Sequence, residues 1–129
     1  MLMRRVFKTR PFARWLRKTD LDDDALFRAV ADMERGLIDA DLGGGVLKKR
    51  VARPGRGKSG GARTLVATNR GDRWFFVFGF EKSVRANVSA KELEALQALA
   101  TDLLKLSSVE LDRQVENDAL AEICHDPAN

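Results

Sequence analysis

Along this chain the spacing of apolar residues changes three times, and each change predicts a different element. Residues 4–8, holding Val6 and Phe7, predict a short strand. From Thr9, a candidate N-cap, Phe12, Trp15 and Leu16 recur at i, i+3 and i+4, the spacing of a short helix with Arg14, Arg17 and Lys18 on its wet face. Asp20, Asp22, Asp23 and Asp24 then load the start of a second helix, where negative charge suits the helix dipole. Its apolar stripe is Leu26, Val30, Met33 and Leu37, and Gly36 marks its end. Together these two segments predict an αα-hairpin packed on a sheet.

Gly43, Gly44 and Gly45 break the helical spacing. Three strand candidates follow at residues 46–53, 62–69 and 73–81, close enough together to pair as an antiparallel meander. Trp74, Phe75, Phe76, Val77, Phe78 and Phe80 make the third apolar on both faces, the signature of a central strand covered on both sides. Residues 69–72, Asn-Arg-Gly-Asp, predict the hairpin turn before it. The last third returns to helical spacing. Ser89 with Glu92, and Ser107 with Glu110, are capping boxes, and Val88 with Leu93, and Leu106 with Leu111, are hydrophobic staples. Leu93, Leu96, Ala100 and Leu103 form one inward stripe, and Leu111, Val115 and Ile123 form a second. The expected fold is α+β: a two-helix hairpin on a small antiparallel sheet, with C-terminal helices. Residues 1–105 are expected to be its core, and residues 106–129 an acidic helical extension of the same domain.

At 129 residues the chain fits one domain that needs no covalent staple. Cys124 has no second cysteine to pair with, the basic N-terminus lacks the apolar run of a secretory signal, and no stretch is long and apolar enough to cross a bilayer. These features predict a soluble protein of a reducing compartment, the cytoplasm.

Charge changes the picture more than composition does. The formal net charge is only +4, yet residues 46–85 hold eleven basic and two acidic side chains, while residues 86–129 hold three and nine. A basic segment flanked by acidic ones points to a polyanion site in the middle of the fold. Alternation along the first strand of the meander places Lys48 and Arg50 on one face, and Leu47, Lys49, Val51 and Arg53 on the other. Arg53, Arg56, Lys58 and Arg63, set among glycines that allow close approach of the backbone, are candidate phosphate contacts. Residues 52–59 also satisfy the loose form of a nucleotide-binding phosphate loop. That motif needs a following helix, whereas Gly60, Gly61 and a strand follow here. Trp74 and the phenylalanines read as core rather than base-stacking platforms. Lys82 and Arg85, beside Glu81, fit equally a functional cluster or an ion-paired surface turn.

The segments at residues 36–46 (GLIDADLGGGV), 53–65 (RPGRGKSGGARTL) and 78–88 (FGFEKSVRANV) resemble a RelE/HigB-like subgroup of the RelE/ParE superfamily of toxin–antitoxin toxins, over residues 3–105. The resemblance implies a growth-arresting toxin neutralised by a helix-turn-helix antitoxin, with no metal or small-molecule cofactor. Some members cleave mRNA on the ribosome and others poison DNA gyrase; a non-catalytic binding module is a third reading. For an mRNA endoribonuclease the resemblance assigns catalytic roles to Lys48, Arg50, Arg63, Lys82 and Arg85. In such a reaction the 2′-oxygen attacks the adjacent phosphate, and the protein must hold that phosphate and stabilise its developing charge. RNA-cleaving relatives often carry a tyrosine or histidine near the end of the sheet. This chain has no tyrosine, and its one histidine, His125, lies in the acidic tail, which leaves the chemistry to lysine and arginine. Residues 106–129 could shield the basic sheet, dock the antitoxin or simply add a solubilising helix.

Overall fold

Thr9 closes a strand and opens a helix: its hydroxyl accepts the backbone N–H of Phe12, and a proline in the first turn continues the helical path. The computed structural model describes residues 4–53 and 57–123, and of residues 53 and 57–60 the backbone. Its elements run β1 (Arg5–Thr9), α1 (Arg10–Leu16), α2 (Asp23–Glu34), β2 (Ala40–Gly43), β3 (Val46–Arg53), β4 (Gly57–Thr68), β5 (Arg73–Glu81), α3 (Ala90–Leu104), α4 (Ser108–Glu116) and β6 (Leu120–Ile123). Each later helix starts where its sequence signals it. Asp22 caps α2 by accepting from Ala25 N–H at 2.9 Å, and both capping boxes are complete, Ser89 with Glu92 on α3 and Ser107 with Glu110 on α4.

The fold is α+β, a six-stranded sheet in the order β2-β3-β4-β5-β1-β6 between two layers of helices. One layer is α1, lying against β5, and α2, lying against β3. With Val6, Leu47, Val66, Trp74 and Phe76 they enclose the first core, where Leu26 and Val30 are fully buried. The other layer is α3 and α4, over Phe7, Val46, Leu65, Ala67 and Phe75, with Phe7 and Phe75 stacked at 5.1 Å between centroids. The β3–β4 and β4–β5 pairs are antiparallel, as the meander predicts.

Several expectations change. The sheet is not wholly antiparallel, because β1 returns beside β5 as its parallel neighbour. The described part of the extension, residues 106–123, is not purely helical: β6 pairs antiparallel with β1, Leu111 and Leu120 enter the second core, and Ile123 enters the first. Arg5 fastens this segment down, its guanidinium donating to Glu122 at 2.9 Å through both Nε and Nη2, and to Asp112 at 2.8 Å. Two carboxylates of the tail thus serve β1 rather than the basic meander. Leu37 leaves the predicted stripe and is 48% exposed, because α2 stops at Glu34 and Gly36 turns the chain at φ +88°. β4 begins five residues earlier than expected, and β2 is an unpredicted edge strand joined to β3 by the left-handed Gly43–Gly44–Gly45 turn.

Candidate nucleic-acid interface

Register, which the sequence alone cannot supply, decides what the cations of the meander do together. Arg50 of β3 lies opposite Arg63 of β4, and Arg63 lies opposite Phe80 of β5. Residues paired across strands point to the same face, so these three side chains form one row. One pleat along lies a second row, Lys48, Leu65 and Phe78. Leu65 belongs to the core under α3, so both rows continue the α3–α4 face beyond its apolar part.

A β-bulge puts the phenylalanines there. Val66 pairs with Phe76, but the next residue back, Leu65, pairs with Phe78, leaving Val77 as an extra residue in β5. Without it Phe78 and Phe80 would point into the α1–α2 core, because one residue of slip exchanges the faces. The same shift turns Gly79 toward α1, where Trp15 lies on it. A Cβ at Gly79 would stand 2.4 Å from the Trp15 ring, so only glycine lets the indole seat there.

Each candidate has a defined setting. Arg50 has a side chain 43% exposed; its backbone N–H donates to Asp39 Oδ2 at 2.6 Å and its Nε to Asp39 Oδ1 at 3.0 Å. Burial pulls the Asp39 carboxyl upward, but these hydrogen bonds and the nearby positive charges outweigh it and hold the group below the usual carboxylate range. Arg63 is only 8% exposed and donates through Nη1 to Gly61 O at 3.0 Å, a tether that fixes its fork within the row. Lys48 is half-buried on β3, and Lys82 is exposed in the turn after β5. Arg85 lies over the rings of Phe78 and Phe80, 5.7 and 5.9 Å from their centroids, and is gripped by Glu92 at 3.0 and 2.5 Å. Arg85, with the Ser89 backbone N–H, holds the Glu92 carboxyl at about 2.

Lys49, read onto the opposite face, is there: it is buried against the α1–α2 layer, donating to Leu37 O at 2.9 Å and facing Asp32 at 3.5 Å. Arg56 lies outside the described residues, as do the side chains of Arg53 and Lys58. The structure thus brings Lys48, Arg50 and Arg63 into two adjacent rows and places Arg85 over the phenylalanines that continue them. Sequence reading missed the carboxylates that hold the two arginines. Asp39 carries no local signal, and Glu92 carries one, but it reads only as a capping residue.

Chemically, this is a sheet face that changes from apolar to cationic within two pleats, with planar guanidinium forks fixed by carboxylate and backbone partners. It suits a phosphate-bearing polymer. The model of the RelE toxin of the RelE/RelB toxin–antitoxin system matches residues 4–123, and the chain belongs to that family. The match takes in α4 and the whole of β6 as well as the meander. It identifies the chain as a toxin of a toxin–antitoxin module, a class that pairs with an antitoxin. No curated protein matches it in sequence. Among the described residues, no helix is long and apolar enough to cross a membrane.

Proposed function

We propose that the chain is an mRNA endoribonuclease that acts on the ribosome in the cytoplasm and is neutralised by a helix-turn-helix antitoxin. The observation that carries this reading is the row Arg50–Arg63–Phe80, with Lys48 one pleat away. Arg50 and Arg63, one strand spacing apart (about 4.8 Å), can bind two oxygens of one phosphate. They stabilise the charge that builds there as the neighbouring 2′-oxygen loses its proton and bonds to phosphorus while the P–O5′ bond breaks, leaving a 2′,3′-cyclic phosphate and a 5′-hydroxyl that takes up a proton. Lys48 is the nearest amine to that position in the register, within reach of the reacting oxygens. Arg85 and Lys82 flank the site from the turn after β5, and Arg53, Arg56 and Lys58 stay candidates for further phosphate contacts on their sequence alone.

The test is growth after induced expression in a bacterial host, wild type beside Arg50→Ala and Arg63→Ala, with primer extension on host transcripts and antitoxin binding as the control for folding. The expected result is arrest with new message ends inside coding frames, lost in both variants while antitoxin binding persists. Arrest with DNA breaks and intact messages would establish gyrase as the target instead, and absence of arrest would leave a non-catalytic binding module.

A further inference from the structure

β1 pairs with β5 only as far as Phe76, so among the described residues no strand covers that edge of β5 from Val77 to Glu81. A cavity of about 370 Å³ opens there, within the range of clefts that hold small ligands. Trp15 and Gly79 line it from the α1–α2 face, and Phe78 and Phe80 from the face that carries Arg50 and Arg63. Lys18, Val84 and Arg85 also line it. Val84 is 79% exposed, the most exposed large apolar side chain among the described residues.

We propose that this cavity receives one base of a single-stranded RNA whose adjacent phosphate lies at Arg50 and Arg63, an inference that rests on the ribonuclease reading. Three observations converge on that occupant. The walls are aromatic, and every base offers a flat face to stack on. Lys18 and Arg85 line the same cavity beside one carboxylate, Glu81, so cations outnumber acids in its wall, which suits an occupant that carries a phosphate. Phe80 is the register neighbour of Arg63, one strand spacing away, about 4.8 Å, which lets a single nucleotide span phosphate row and cavity. A base seated there also meets the backbone of an uncovered strand edge, whose N–H and C=O groups can discriminate between bases by hydrogen bonding. The cationic row itself reads only phosphate.

Trp15 gives a direct reporter, because Trp74 is completely buried while Trp15 lines the cavity. The experiment titrates the full chain with an RNA trinucleotide carrying 2′-O-methyl groups to prevent cleavage, and with an abasic analogue bearing the same phosphates. Trp15 fluorescence should be quenched by the trinucleotide and unchanged by the abasic analogue. Trp15→Ala should weaken binding of a labelled trinucleotide by about 5- to 150-fold, the range expected for loss of one stacked base, and leave the abasic analogue unaffected. Val84→Asn, a neutral polar change at a site too exposed to support the fold, should weaken the trinucleotide selectively as well. Equal affinity and equal fluorescence response for both probes, with binding still lost in Arg63→Ala, would overturn the cavity and leave the phosphate row standing. Binding of neither probe would remove both. Quenching by the antitoxin alone would assign the cavity to a protein and overturn the proposal.

Discussion

The two halves of the α3–α4 face are built on the same three strands and hold opposite contents. Toward the β4–β5 turn, Val46, Ala67 and Phe75 are fully buried and sealed in with Ala100 of α3. A few residues along the same strands, Arg50, Arg63 and Phe80 occupy the corresponding register, and the arginines are held by Asp39 and the Gly61 carbonyl rather than by apolar neighbours. The first half gains stability from removing apolar surface from water. The second holds charge in place, which contributes little to stability and prepares a surface for an anion. Stability and activity should therefore respond to different substitutions.

The largest stability effect should come from the packed half. Phe75→Ala should cost about 3–5 kcal/mol, measured by urea unfolding, and Leu111→Ala should cost about 2–5 kcal/mol because the C-terminal segment belongs to the same core. A loss under 1 kcal/mol at Leu111 would return residues 106–123 to the status of an appendage. At the boundary, Gly79→Ala drives a methyl into the Trp15 ring and should cost about 1–3 kcal/mol, with a changed Trp15 emission spectrum. In the charged half, Arg50→Ala should abolish growth arrest while costing at most about 1 kcal/mol; arrest that persists would break the division proposed here.

A pH prediction sharpens the same contrast. In the fold the Glu92 carboxyl sits at about 2 instead of its ordinary 4.5, so the unfolded chain takes up its proton first as acid is added. The Arg85–Glu92 contribution is complete above about pH 4.5 and is lost as pH falls toward about 2. Asp39, shifted in the same direction, adds to the loss. Wild type should therefore lose more thermal stability between pH 5 and pH 2 than Glu92→Gln does; parallel curves would remove the pair from any stabilising role. Smallest of all, Lys82→Ala should change stability by no more than about 0.5 kcal/mol.

What the sequence disclosed follows from how local each signal is. Capping boxes at Ser89 and Ser107 and the apolar run of β5 act over a few residues, so those elements were legible to within a residue or two. β2 and β6 were not, because each has four residues and is held by its neighbour rather than by propensity. Asp41 and Gly43 argue against a strand in the first, and Leu120 and Ile123 reveal their burial only once β1 lies beside them. The candidate site divides the same way. That Lys48 and Arg50 share a face follows from alternation, but that Arg63 stands opposite Arg50 depends on register, and that Phe80 continues the row depends on a single extra residue, Val77, in β5.

The position of β1 sets the order in which the molecule can be completed. β1 waits for β5, whose residues pair with it from Arg73 onward, and then for β6, the last element of the described residues. Contacts this distant in sequence form late and fold slowly. A nascent chain therefore has its basic meander before it has a finished sheet, and the toxin fold closes only after β6 has been made.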